Sequence, residues 1–327
     1  ALLSSNDKNK TMPALVVAPT TLLENWRREI LKFTDNLKPR KHRGPHRTGL
    51  TADLKKADIT ITSYDTLCRD ILMFEKINWR VVILDEAQAI KNALTKRSQA
   101  VKRLNAKMKI AVTGTPVENS LSDIWSIFDF SLPGFLGTKA EFEKNYLNDE
   151  MSASELEPVI SPVILRRRIA DVAQDLPERI DVPIVIDFDE SEAEKYEIIR
   201  NDTLAKHPKG GALACLTKLR QYCSHPSLCA VEYGKPEDIS VKYRLTLEIM
   251  EEIFGMNQKA LIFTSYNEMA ELLAKDIPPR FDCYKNIING ATPVGDRQGI
   301  VDQFNDHSGH GFLALNPRAA GAGLNIT

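Results

Sequence analysis

The sequence predicts an α/β fold in which parallel sheets are flanked by helices and interrupted by helical insertions. Three observations predict it. Short runs of branched apolar residues end abruptly in polar or Gly- and Pro-bearing turns, as in Ala14-Leu15-Val16-Val17-Ala18-Pro19 and Val81-Val82-Ile83-Leu84-Asp85-Glu86. Runs this short read as strands buried on both faces, the mark of a parallel sheet. Amphipathic helical segments alternate with them, and strand–helix alternation argues for a parallel α/β layer. Finally, the grammar lapses after the first third of the chain and resumes near Tyr243, so 327 residues divide into two units of ordinary size.

Each element follows in order. After the strand 14–18, Pro19 stops the strand and Thr20-Thr21 precede an amphipathic helix carrying Leu22, Leu23, Trp26, Ile30, Leu31 and Phe33. Trp26 reads as core. Thr20, Thr21 and Asn25 stand where free backbone N–H groups can bind phosphate, and capping explains them equally well. Residues 38–47, with five basic side chains, read as a solvated loop rather than a phosphate contact. Residues 57–64 form the next strand and residues 80–84 the third. A helix over 91–104 follows, then a strand over 109–112 that ends in Thr113-Gly114-Thr115-Pro116. An aromatic-rich helix spans 121–130. Residues 139–160 are acidic, helix-prone and poor in β-branched side chains, which suggests a helical insertion. Residues 181–188 read as a strand, 192–206 and 213–222 as helices, and 233–238 as a linker. The second α/β pattern has helices over 243–254, 268–276 and 298–305 and strands over 260–263, 284–288 and 312–315.

Composition narrows the class. Apolar residues make up 43% and charged residues 27%, a globular balance. A net charge of -1 argues against a broad basic surface and leaves room for a local basic groove. The five scattered cysteines fit free thiols in a reducing compartment. Cys223, His225 and Cys229 lack zinc-site spacing and read as core or helix-end residues. No apolar run approaches the ~20 residues of a membrane span, and no signal peptide is visible.

The chemistry is concentrated at Asp85 and Glu86. Ligands of parallel sheets bind beyond the carboxyl ends of the strands, so two carboxylates there suit phosphate and metal chemistry. A solvated acidic turn would look the same in isolation.

The order of the polar strand ends resembles the Swi/Snf family of DNA-dependent ATPases, among the superfamily-two helicase-like motors. The blocks are Val17 to Leu22 with Asn25-Trp26; Ile61-Thr62-Ser63-Tyr64; Leu84 to Asn92; Val112 to Asn119; Ile164-Leu165-Arg166-Arg167; Leu219-Arg220-Gln221 with Cys223-Ser224-His225-Pro226; Leu261 to Thr264; and Arg318 to Thr327. The Leu-Arg-Arg and Cys-x-His-Pro blocks point to this family rather than to helicases at large. Ala320-Gly321, where many members have Gly-Gly, is a mild departure.

The resemblance implies two RecA-like lobes facing each other across an ATP cleft. By it, residues 1–133 are the first lobe, 134–180 a helical insertion returning to that lobe, 181–237 a strand, second insertion and linker, and 238–327 the second lobe. It implies that Asp85 binds Mg²⁺ through water, that Glu86 orients and deprotonates the attacking water, and that Gln88 couples the ATP site to Thr113, Gly114 and Thr115. Gly323 and Asn325 are expected near ATP. DNA contacts are expected at Pro19, Thr20, Asn25, Ser63, Tyr64, Thr264 and Arg318, while Arg166 to Arg168 have an equally good reading as partners of acidic neighbours. The implied activity is ATP-dependent translocation on double-stranded DNA by a monomer that remodels a protein–DNA complex. The implied location is cytoplasmic and nucleoid-associated in a bacterium, or nuclear in a eukaryote. No Gly-x-x-x-x-Gly-Lys-Ser/Thr appears, and the resemblance puts the phosphate loop before Ala1 and the arginine-finger block after Thr327. The chain alone is therefore expected to be inactive. A silent DNA-binding or interaction module and a strand-separating helicase are the alternatives.

Overall fold

Alternation along two central strands builds the first unit. β1 (Ala14–Ala18) and β4 (Trp79–Leu84) send Leu15, Val17, Val82 and Leu84 to one face and Ala14, Val16, Ala18, Val81 and Ile83 to the other. With apolar side chains on both faces, neither strand tolerates solvent on either side, and helices cover both. In the computed structural model, residues 12–114, 121–147, 154–167, 180–206, 211–229 and 234–320 are described, together with Leu324 and Ile326. The chain divides into two units, residues 1–177 and 178–327.

The first unit holds a five-stranded parallel sheet in the order β2-β3-β1-β4-β5, with β2 at Pro39–His42, β3 at Ile59–Ser63 and β5 at Ala106–Ala111. Helix α1 (Leu23–Phe33) covers one face through Leu23, Trp26 and Ile30. On the other face, beyond the short helix α2 (Thr51–Lys55), pack α3 (Tyr64–Phe74), α4 (Lys96–Lys102) and α5 (Ser122–Ser131). Register levels the strand ends: Ala18 pairs with Ser63, Val17 with Leu84, and Leu84 with Ala111. The next residues along each strand, Pro19, Tyr64, Asp85 and Val112, therefore share one sheet edge. A satellite core of Ile124, Phe128, Leu136, Phe142 and Leu156 joins α5 to α6 (Lys139–Tyr146) and α7 (Leu156–Ile160), the helical insertion.

The second unit begins with paired helices α8 (Glu190–Lys206) and α9 (Gly211–Ser224). After the short α10 (Pro236–Ile239), α11 (Val241–Gly255) leads into a three-stranded parallel sheet. Its order is β6 (Lys259–Phe263), β8 (Gly311–Leu315), β7 (Tyr284–Ile288). Phe312 and Ala314 face α11 and α12 (Asn267–Phe281), while Leu313 and Leu315 face α13 (Val294–Asp306). The last element is α14 (Pro317–Ala320). At Gly311 a Cβ would lie 2.7 Å from the Tyr284 carbonyl, so the strand pairing requires glycine there. Glu192 is buried; its carboxylate accepts from the Asp189 and Val241 backbone N–H groups, tying α8 to α11.

Three expectations need correction. Residues 39–42 are an edge strand, not a loop: His42 points inward while Arg40 and Lys41 face solvent, a charged edge that resists pairing with other chains. Residues 181–188 have no strand assignment, because no neighbouring strand supplies a ladder to them among the described residues. The helix expected from 91 starts at Lys96, since Asn92 turns the chain by accepting from Leu94 and Thr95, and Thr95 then caps α4.

Candidate active site

The end of β4 is bent by one strained residue. Glu86 lies at φ 49°, ψ 53°, in the left-handed region, at the head of a 3₁₀ turn over Ala87–Ile90. Among the described residues the other two non-glycine residues with positive φ are Asn257 and Asp282, types that tolerate it; glutamate does not, and the cost is about 1 kcal/mol or more. The bend turns the chain back so that Ala87 N–H donates to the Val112 carbonyl at 2.9 Å.

Side chains then cross-link the strand ends. Asp85 Oδ1 accepts from the Glu86 N–H at 2.9 Å and Oδ2 from the Trp26 indole Nε1–H at 2.8 Å. The Tyr64 hydroxyl donates to the Asp85 carbonyl at 2.8 Å. Gln88 Nε2 donates to Glu86 Oε2 at 2.6 Å, and Gln88 Oε1 accepts from the Thr113 hydroxyl at 2.7 Å. The ends of three strands and α1 thus converge on two half-buried carboxylates. Burial, with the charges of Asp85 and Glu86 beside it, pushes the Tyr64 phenol well above its ordinary pKa, so it remains a donor throughout the physiological range.

The expected site residues separate into groups. Asp85, Glu86, Gln88 and Thr113 are linked in one network, with Gly114 next in the chain. Thr115, Gly323 and Asn325 lie outside the described residues. Pro19 and Thr20 open a 3₁₀ turn at the end of β1, with no side-chain cap, and Asn25 follows on α1. Ser63 and Tyr64, expected on DNA, make hydrogen bonds within the unit. The Ser63 hydroxyl caps α3 and bonds Thr66, and Tyr64 is 3% exposed. In the second unit Thr264 receives the Tyr266 N–H, and Arg318 is exposed at the start of α14.

Trp26 is the residue whose part sequence reasoning missed. It packs on the core as expected, yet its indole N–H reaches Asp85. The available signal was chemical: a tryptophan beside a buried strand needs an acceptor for its N–H. His225 is a packing node, as read. Its Nδ1 accepts from Ser227 and its Nε2 donates to the Pro236 carbonyl at 3.2 Å, which fixes the tautomer. Among the described residues no group of three or more His, Cys, Asp or Glu side chains could hold a metal, and no helix is long and apolar enough to cross a membrane.

The model of the SNF2-related domain matches residues 1–228. The chain belongs to the SNF2-related family. Among SNF2-related and helicase-named relatives, it is 35% identical to Bacillus subtilis YwqA, named as an ATP-dependent helicase/translocase, over 96% of this chain and 36% of that protein. An ATP-dependent helicase of Mycoplasma pneumoniae is 32% identical over 100% of this chain and 32% of its own length. The chain thus spans about a third of these relatives. Human TATA-binding protein-associated factor 172 is 31% identical over 97% of this chain and 21% of its own. Among solved structures, the Sulfolobus solfataricus SWI2/SNF2 ATPase core in complex with dsDNA is 32% identical, with a TM-score of 0.49, over 94% of this chain and 68% of that one.

Proposed function

We propose that this chain is the core of an ATP-dependent motor on double-stranded DNA, in which Glu86 orients and deprotonates the water that attacks the γ-phosphate. The observation that carries this reading is the relay from Glu86 through Gln88 to Thr113, built at the end of a parallel sheet in an SNF2-related chain. A general base needs a fixed carboxylate, and Gln88 fixes this one. The same amide bonds the β5 turn, so a change at Glu86 is felt at Thr113 and Gly114. Thr115, Gly323 and Asn325 complete the ATP side by resemblance.

Asp85 would hold Mg²⁺ through water. Its oxygens accept two hydrogen bonds, and a carboxylate has about four lone-pair sites, so capacity remains. Mg²⁺ takes one or two carboxylates and completes its shell with water and phosphate oxygen, and Asp85 would supply one such carboxylate. When bound, the ion supplies positive charge to the phosphate oxygens.

On the DNA side, Pro19, Thr20 and Asn25 of the first unit and Thr264 and Arg318 of the second would follow the phosphate backbone without reading bases. Translocation with the duplex intact is preferred to strand separation, and closure of the two lobes is the step that hydrolysis drives. The 327 residues contain no phosphate-loop pattern, so the chain alone should hydrolyse ATP barely or not at all.

Duplex-stimulated ATP turnover should be measured in a protein carrying this chain together with a phosphate-binding loop. Glu86→Gln should lower it by about 10²–10⁴-fold with nucleotide still bound. An unchanged rate would remove Glu86 as the base. In the same preparation a triplex-forming strand should be displaced while the duplex stays paired. Separation of the duplex strands would favour a helicase.

A further inference from the structure

The helices that open at the two turns beside Asp85 each send it one aromatic donor. Trp26 follows Asn25 on α1 and donates to the Asp85 carboxylate; Tyr64 follows Ser63 at the head of α3 and donates to the Asp85 carbonyl, both at 2.8 Å. The two bonds grip different parts of one residue, its side chain and its peptide. That peptide leads directly into the left-handed Glu86. Neither ring can move apart from its helix. Trp26 packs with Leu22, Ile30 and Leu23 of its own segment, and Tyr64 sits in the main core with Leu67 and Phe74 of α3.

A staple for the fold would account for one such bond between apolar neighbours. Two from separate helices, both ending on Asp85, do more. They make its position depend on where α1 and α3 begin. α1 begins beside Thr20 and Asn25, the residues assigned to DNA above. Small shifts of a packed helix carry its side chains as a body, because protein interiors are dense and deform in steps.

We propose that Trp26 and Tyr64 are positioning residues that transmit duplex binding to Asp85. The proposal rests on the DNA-motor reading. Duplex seated at the start of α1 shifts that helix, the indole follows, and the Asp85 carboxylate is re-aimed. Tyr64 holds the Asp85 peptide as the pivot, so the motion reaches the carboxylate and Glu86 rather than dissipating along β4.

The three tryptophans make the test specific. Trp79 and Trp125 donate to the backbone carbonyls of Phe74 and Gly137, whereas Trp26 donates to a carboxylate. The ¹⁵N-labelled chain should show three indole N–H resonances, with that of Trp26 assigned by its loss in Trp26→Phe. Labelled duplex DNA is titrated at low ionic strength, and binding is followed independently by fluorescence anisotropy. The Trp26 resonance is expected to move with the midpoint of the anisotropy curve while that of Trp79 stays. With duplex at saturation by anisotropy, Asp85→Ala should lose the Trp26 shift, and Tyr64→Phe should shrink it.

Duplex binding with a stationary Trp26 resonance would overturn the transmission and leave the DNA reading standing. A Trp26 shift that survives in Asp85→Ala would report nearby DNA rather than Asp85, and would overturn it too. Absence of duplex binding would overturn the DNA reading and the proposal with it.

Discussion

In the first unit backbone bonds between the strand ends are joined by bonds from side chain to side chain: Trp26 and Gln88 reach the carboxylates of Asp85 and Glu86, and Thr113 reaches Gln88. In the second unit the equivalent edge is fastened to the backbone. The Thr264 N–H donates to the Leu315 carbonyl, and Asn316 Nδ2 to the Ser265 carbonyl. Arg297, 9% exposed, donates to the carbonyls of Asn289, Thr292 and Ala319. The difference has a physical consequence. Bonds between ionisable or rotatable side chains rearrange when a ligand changes their charge or competes for an oxygen. A guanidinium held by three peptide carbonyls has little freedom to rotate. The first edge thus holds side-chain bonds that a bound ligand could rearrange, and the second is held chiefly through peptide carbonyls.

The largest effect that would break this comparison is at Arg297. Arg297→Ala leaves the buried Ala319 carbonyl and two part-buried ones without this donor and removes charged hydrogen bonds, so the second unit should lose roughly 3 kcal/mol. Hydrogen exchange should rise around residues 289–297 and 319 and stay unchanged in the first unit. Arg297→Lys should not restore it, because an ammonium cannot present a planar fork to three carbonyls. A loss below about 1 kcal/mol would mean that the edge is held by its strands alone.

A smaller effect is expected at an ion cluster of the first unit. Asp70 accepts from Arg47 Nε at 2.6 Å and Nη2 at 3.0 Å, and from His42 Nε2 at 2.8 Å. The Arg47 guanidinium, helped by His42 and opposed by partial burial, holds the Asp70 carboxyl below the ordinary carboxylate range. A carboxylate with a lowered folded pKa contributes stability above its unfolded pKa and loses it as pH falls through the folded value. Acid unfolding of the first unit should therefore steepen below about pH 4. Asp70→Asn should cost on the order of 1 kcal/mol at neutral pH and flatten that dependence. An unchanged acid limb in Asp70→Asn would show that other carboxylates set it.

The parts legible in the sequence were those whose cause is local. The run from Val81 to Leu84 is continuous and apolar because both faces of β4 are covered, and its abrupt end made Asp85 and Glu86 visible. Helix α1 announced itself by period, its Leu23, Trp26 and Ile30 recurring at helical spacing on the covered face. What stayed hidden depends on distant partners. β2 looked like a loop because Arg40 and Lys41 at its middle are charged and exposed and Pro39 opens it, and its pairing with β3 is not written in its own composition. Val182, Ile184 and Phe188 alternate as a strand should, but a strand also needs a neighbour. The indole of Trp26 and the hydroxyl of Tyr64 bond Asp85 across 59 and 21 positions of sequence. Residue type reads Trp26 as core and the resemblance puts Tyr64 on DNA, and only the fold shows where their polar atoms go.

The smallest effect sharpens the comparison from the other side, because the second unit also has a side-chain cluster, placed away from its strand ends. Arg280 makes paired bonds to Glu237 at 2.8 and 2.7 Å and to Asp276 at 2.8 and 2.9 Å, and the Tyr243 hydroxyl donates to Asp276 at 2.9 Å. Glu237, foremost, and Asp276 raise the Arg280 pKa further, and Arg280 in turn lowers that of Glu237. The guanidinium is 30% exposed, so water and salt screen the cluster. Arg280→Gln should cost only about 0.5–1 kcal/mol, and less as salt is raised. Urea unfolding at low and high ionic strength checks this. If the cost matches that of Arg297→Ala, or ignores salt, then side-chain clusters hold the second unit as firmly as backbone-directed ones, and the contrast between a responsive edge and a fixed one fails.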